Sequence, residues 1–239
     1  MTEPQDKSPL VVVDGATKTF VTGRLEVQAL RGLSLEIHEG DFLALVGPSG
    51  SGKTTLLNLI GALDRPTSGV VEVLGHDLSK LNKGQRAKLR LDELGFVFQA
   101  YNLVPVLTAA ENVEFVLELQ GVDAKARRKR ALEVLAELGL AELADRRPNE
   151  LSGGQQQRVA VARAIAARPK LVLADEPTAN LDSENAEQLM ALMRRLHEEH
   201  EVTFVFSTHD PRVVAHATRV VTLVDGQVDS DVQKEREAA

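Results

Sequence analysis

Short apolar runs alternate with glycines at the start of the chain. Apolar residues run through 10–13 and 42–46 and alternate with polar ones over 33–37, and Gly15, Gly23, Gly32 and Gly40 break these stretches apart. Runs of that length bounded by turn residues predict strands. The third run opens into a glycine-rich stretch, residues 47–52, followed by a helical pattern over residues 53–62. Pro66, Ser68 and Gly69 mark a turn before a short strand at residues 70–74. A mixed, charged segment then leads to another strand-like run at residues 95–99.

From residue 108 to 139 the period changes to that of a helix. Val113, Val116 and Leu117, then Leu132, Leu135 and Leu138, fall on one face, with Gly121 and Asp123 separating two halves. Residues 156–167 predict a third helix, ended by Pro169, and residues 171–174 a strand buried on both faces. Asp182 or Ser183 caps a fourth helix, whose Leu189, Leu192, Met193 and Leu196 share one face. Residues 202–207 predict a strand, and residues 220–224 with Asp225-Gly226 predict a hairpin. Residues 230–239 are polar and predict a frayed tail. Strand–helix alternation at both ends, around a helical block between about residues 100 and 160, predicts an α/β sheet core with a helical insertion.

Composition narrows the function. A chain of 239 residues supports one sizeable core with a smaller attached subdomain. Net charge of -7 and an aromatic content of 3% argue against a nucleic-acid binder, which needs basic and stacking side chains. The absence of cysteine excludes disulfides, thiolate zinc sites and cysteine nucleophiles. Residues 1–9 are polar and do not read as a secretory signal. No apolar run approaches the length of a membrane span, so a membrane role requires a membrane part from elsewhere.

The chemistry concentrates at strand ends. Gly47-Pro48-Ser49-Gly50-Ser51-Gly52-Lys53-Thr54 has the spacing of a phosphate-binding loop, set between an apolar strand and a helix. Glycines let backbone N–H groups turn inward around a phosphate, and the helix adds its positive end. Lys53 is expected to reach the β- and γ-phosphates and Thr54 to ligate Mg²⁺, with Thr55 completing the ATP-binding set. Residues 171–174 deliver Asp175 and Glu176 to the sheet's edge. Asp175 is expected to hold Mg²⁺ and Glu176 to deprotonate the attacking water; the bland alternative is two solvated acids before Pro177.

Leu151-Ser152-Gly153-Gly154-Gln155 precedes a helix and offers a second loop of backbone N–H groups to an anion. With these motifs in this order, nearly the whole chain resembles the ABC ATPase family, in which this pentapeptide is the signature. The resemblance implies an α/β fold with a P-loop NTPase, RecA-like core, an antiparallel β subdomain and an inserted helical subdomain. It places one domain over residues 9–229, with core and β subdomain at about 9–98 and 160–229 and the helical subdomain at about 99–159.

The resemblance also assigns single residues. Gln99 is similar to the glutamine that touches metal and attacking water and links core to helical subdomain; a surface glutamine is the plain alternative. His209 is similar to the switch histidine at the γ-phosphate, against a structural histidine. Phe20 stands where the family stacks an aromatic on adenine, against a core phenylalanine. Asp182 belongs to the loop that crosses the dimer interface, and is equally a helix N-cap.

In the family, the signature loop of one subunit covers the γ-phosphate held by the other, so the resemblance implies an ATP-dependent homodimer. Residues 27–32, 47–50, 95–99, 111–113 and 175–182 resemble the branch of macrolide exporters, lipoprotein-releasing complexes and the FtsE-type division protein. Ala179 departs from that branch's usual glycine. Its implied partner is a membrane permease with a large extracytoplasmic domain, which places the chain on the inner face of the cell membrane. Export or lipoprotein release is the leading role, and a mechanical regulator of division type is the alternative. Lys125, Arg127, Arg128, Lys129 and Arg130 form a basic run, read as a solvated helix face balanced by acids or as a contact for acidic lipid headgroups or a permease loop.

Overall fold

The computed structural model describes residues 9–23 and 25–234. In chain order the elements are β1 (Pro9–Thr22), β2 (Leu25–His38), β3 (Phe42–Val46), α1 (Lys53–Ile60), β4 (Ser68–Val73), β5 (His76–Asp77), α2 (Lys83–Glu93) and β6 (Leu94–Phe98). Then come α3 (Ala109–Leu119), α4 (Ala124–Glu137), α5 (Gly153–Ala166), β7 (Leu171–Asp175), α6 (Ser183–His200), β8 (Thr203–Ser207), α7 (Pro211–His216), β9 (Arg219–Val224) and β10 (Gln227–Gln233).

Two sheets result. The first is antiparallel, in the order β2-β1-β4-β5. The second has the order β10-β9-β3-β8-β7-β6; all of its neighbours pair in parallel except the edge strand β10. Parallel strands covered on both faces read as unbroken apolar runs, as β3, β7 and β8 do. Their side chains divide by parity. Phe42, Val172, Ala174, Phe204 and Phe206 enter the core shared with α3 to α6. Leu43, Leu45, Leu171, Leu173 and Val205 enter a second core with α1 and the antiparallel sheet. The helix after the glycine-rich loop is therefore clamped between two sheets, and its N-terminus is fixed in space.

The helical block packs α3, α4 and α5 together. Buried Asn112 pins the segment entering α3: its amide donates to the carbonyls of Val104, Leu107 and Thr108, and its Oδ1 accepts from Val104 N at 2.7 Å. Four members of the basic run find partners inside this block. Arg127 and Arg128 pair with Glu114, Glu118 and Asp145, Lys129 with Glu133, and Arg130 Nε donates to Ala166 O. These contacts match the balanced-face reading.

Four expectations need correction. The charged segment before β6 contains α2, closed by a reciprocal cap between Asn82 and Gln85; Leu89 is its one buried residue, too weak a signal for periodicity. α5 begins at Gly153 rather than at residue 156, because Ser152 is its N-cap. Residues 211–216, for which the periodicity predicts no element, form the short α7, capped by Asp210 with Pro211 at its first turn. Residues 230–233 are not a frayed tail but part of β10, so the ordered strand runs past residue 229. Arg219 explains this: its guanidinium bonds Asp231 through Nε at 2.9 Å and Nη2 at 2.7 Å, and Asp41 through Nη1 at 2.7 Å.

Arg219 is largely buried, so removing one acid leaves an under-compensated charge. Asp231→Ala is expected to lower stability by about 1–2 kcal/mol. Urea unfolding would show it as a lower midpoint with an unchanged slope; an unchanged midpoint would mean that the pair does not hold β10.

Candidate functional site

β3, β7 and β8 end at the same edge of the parallel sheet, and the loops leaving them enclose a cleft of about 830 Å³. Residues 47–55 line it, opposite Gln99, Glu176, Ser207 and His209. The loop after β3 folds back so tightly that Gly47, at φ 144°, has no room for a side chain: a Cβ would lie 2.1 Å from Leu223 O. α1 starts at Gly52 with no side chain capping it and no acid in its first turn, leaving its first amides and its dipole directed at the cleft.

Lys53 Nζ donates to the carbonyls of Gly47 at 2.7 Å and Pro48 at 3.1 Å, so the ammonium is held over the loop. Thr54 Oγ1 donates to Asp175 Oδ1 at 3.3 Å. Ser51 Oγ is buried and has no hydrogen-bond partner among the described residues. An uncapped helix start, a lysine and a tightly folded amide loop fit a polyphosphate. Hydroxyl and carboxylate oxygens side by side fit a hard divalent cation such as Mg²⁺.

Glu176 leaves β7 with φ 46°, a left-handed conformation that costs a non-glycine residue about 1 kcal/mol. Its N–H donates to Ser207 O at 2.8 Å, which fixes the turn against β8. The turn aims its carboxylate at His209 Nδ1, 2.7 Å from Oε1, while Thr208 Oγ1 donates to Oε2 at 3.3 Å. His209 is exposed on the cleft side, not packed as a structural histidine.

His209 stands on a buried support. Asp210 accepts from Thr178 Oγ1 at 2.7 Å and from Arg212 through Nε and Nη2. The Arg212 hydrogen bonds, aided by Thr178, hold its carboxyl down at about 2, against an ordinary 3.8. Gln99 is exposed at the end of β6, and its carbonyl accepts from Asn180 Nδ2 at 2.8 Å. Tyr101 and Asn102 behind it both have positive φ, and Arg163 of α5 donates to both carbonyls. Burial pushes the Arg163 guanidinium down from its usual value, the cost of placing it there. Arg163 and Arg212 lie outside the motifs, and the carbonyls that Arg163 holds are too remote in sequence for a spacing rule to find.

The signature residues stand apart from this cleft. Ser152 caps α5: its hydroxyl accepts from Gln155 N at 3.3 Å and its N–H donates to Gln155 Oε1 at 2.9 Å. Gly154 lets α5 pack closely on α6: a Cβ there would lie 2.7 Å from Asn185 Oδ1 and force that side chain to move. Leu151 is buried, Ser152 is exposed, and none of residues 151–155 lines the cleft. Asp182 is the N-cap of α6, accepting from Asn185 N at 2.8 Å. Phe20 is 44% exposed, which removes the core alternative; Lys18 Nζ lies 5.0 Å from its ring centre. It pairs across the hairpin with Val27, which does line the cleft.

Fold and site together define an ATPase head of α/β type, with a phosphate-binding loop, an antiparallel β subdomain and a helical block. The model of the ABC transporter family matches residues 30–179, and the chain belongs to that family. It is 48% identical over 212 residues to an ABC transporter ATP-binding protein of Thermotoga maritima, covering 89% of this chain and 90% of that protein. It is 47% identical over 224 residues to the macrolide export ATP-binding/permease protein MacB of Syntrophobacter fumaroxidans, covering 93% of this chain but 31% of that longer protein. Among solved structures it is similar to the dimeric post-hydrolysis state of the ATP-binding cassette MJ0796 bound to ADP and Pi. The TM-score is 0.87 at 44% identity, covering 94% of this chain and 99% of that one.

The Asp210 pair has a pH signature. A depressed carboxylate stabilises the fold above its unfolded pKa, and that contribution is lost as pH falls through the folded value. The stability difference between the parent and Asp210→Asn is therefore expected to be constant near neutrality. It should shrink below about pH 4 and be mostly lost by pH 2. Urea unfolding of both proteins from pH 7 to pH 2 checks this; a difference constant throughout would remove the depressed carboxyl from the support of His209.

Proposed function

We propose that this chain hydrolyses ATP as a homodimer with two nucleotides between the copies, and drives a membrane permease of the macrolide-export or lipoprotein-release type. The observation that carries the reading is the separation just described: the phosphate loop faces the cleft, while Ser152 and the N-terminus of α5 stand outside it. One copy therefore offers two half-sites. A second copy, turned head to tail, brings Ser152 over the phosphates held by Lys53. The dimeric state of the MJ0796 cassette with ADP and Pi supports this arrangement.

Within the site each residue has one task. Phe20 offers its exposed face to adenine. Lys53 exchanges the carbonyls of Gly47 and Pro48 for β- and γ-phosphate oxygens, and the amides of residues 47–55 wrap the rest. Thr54 and Asp175 would hold Mg²⁺, with Gln99 from the opposite wall; bound there, the cation neutralises charge on the phosphates. Glu176 accepts the proton of the attacking water as its oxygen bonds to the γ-phosphorus and the bridge to the β-phosphate breaks. His209, bonded to Glu176, stands ready to contact the γ-phosphate, and Asp182 lies in the loop that meets the other copy.

Among the described residues no helix is long and apolar enough to cross a membrane. The permease is therefore supplied by other sequence, and the head works at the inner face of the membrane. The MacB relatives support an export-type permease, being named as ATP-binding and permease proteins together.

Glu176→Gln keeps the shape of the side chain and removes the base. It is expected to bind ATP, to hydrolyse it about 10²–10⁴-fold more slowly, and to accumulate as a dimer on size-exclusion chromatography. A variant that stays monomeric at saturating ATP would sink the two-copy site.

A further inference from the structure

Ser207 ends β8 and is 1% exposed, yet its Oγ has no hydrogen-bond partner among the described residues. A buried hydroxyl without a partner weakens the fold, so such a group needs an explanation. Packing does not supply one, since an alanine or valine at the same place would fill the strand end without the desolvation cost. Ser207 also lines the cleft described above.

Its position is set by register. Ser207 pairs with Asp175 on one side and with Leu45 on the other, all in parallel. In-register residues on neighbouring parallel strands project to the same face. Leu45, Leu173 and Val205 face the core that contains α1, so Asp175 and Ser207 share the α1 side. The Thr54–Asp175 hydrogen bond confirms that direction. A carboxylate has about four acceptor positions. Thr54 occupies one at a long 3.3 Å, and Ser207 carries an unspent donor one strand away.

We propose that Ser207 is a positioning residue for the divalent cation: its hydroxyl donates to the Asp175 carboxylate when that side chain turns to hold the cation. This rests on the nucleotide reading of the cleft and adds a residue to it. The hydroxyl is thus unsatisfied in the free head and satisfied in the loaded one.

The opposing signs of those two states give the test. Thermal unfolding of the nucleotide-free protein is expected to show Ser207→Ala melting no lower than the parent, and up to a few degrees higher. Mn²⁺ titrated into ATP-loaded protein, with free Mn²⁺ read by electron paramagnetic resonance, is expected to bind Ser207→Ala about tenfold more weakly. ATP affinity in EDTA should be unchanged, and Ser207→Thr, which keeps the hydroxyl, should recover Mn²⁺ affinity. Unchanged Mn²⁺ affinity in Ser207→Ala would overturn the assignment and leave the nucleotide site standing. So would a clear loss of stability in the nucleotide-free variant, which marks a structural hydroxyl. A parent protein that fails to bind ATP would overturn the nucleotide reading, and the Ser207 assignment with it.

Discussion

Three parallel strands ending at one level hold this site together. β3 is apolar throughout, β7 up to Asp175 and β8 between Thr203 and Ser207, so burial drives the strands inward and leaves Gly47, Asp175 with Glu176, and His209 at the rim. The hydrogen bond from Glu176 N to Ser207 O ties two of the rims together. A shift of one residue in the register of β7 would turn Asp175 away from Thr54 and towards the helical core. The chemistry is therefore set by the same apolar packing that sets the fold, and the strain at Glu176 persists because strands on both sides over-determine it.

That dependence explains which parts were legible beforehand. The phosphate loop is contiguous, and its strand–loop–helix context is local, so Gly47 to Thr55 could be read directly. Ser152 was legible as a helix entry, although α5 starts three residues earlier than its apolar period indicates: Gly153, Gly154 and Gln155 belong to the helix but add nothing to its buried stripe except Gly154. Residues whose task is to hold others were not legible. Arg163 reaches two carbonyls sixty residues away, and Asn180 reaches Gln99 across the two parts of the chain. No spacing rule encodes such contacts.

The elements that were missed share a cause. α2 and the end of β10 are exposed and polar, held by side-chain bonds rather than by apolar burial: the Asn82–Gln85 cap in one case and Asp231 on Arg219 in the other. Hydrophobic periodicity detects elements that face a core, and these do not. Phe20 is the converse case. Its type suggests burial, but it sits half-exposed on a hairpin edge with a lysine over its ring, an arrangement that leaves an aromatic face to a ligand.

The internal hydrogen bonds of the free head fit the proposed role of nucleotide as its switch. Three side chains proposed to meet phosphate already have internal partners: Lys53 its own loop's carbonyls, Ser152 its own Gln155, His209 its own Glu176. These side chains exchange replaceable hydrogen bonds when nucleotide binds, while the uncapped start of α1 stays open to it. The Ser152 hydroxyl accepts from Gln155 but keeps its own hydrogen to donate, so α5 stays capped while it contacts an anion. Because α5 carries Ser152 at its start and Arg163, the holder of the Gln99 loop, three turns on, the proposed signature contact and the proposed metal contact are tied to one helix.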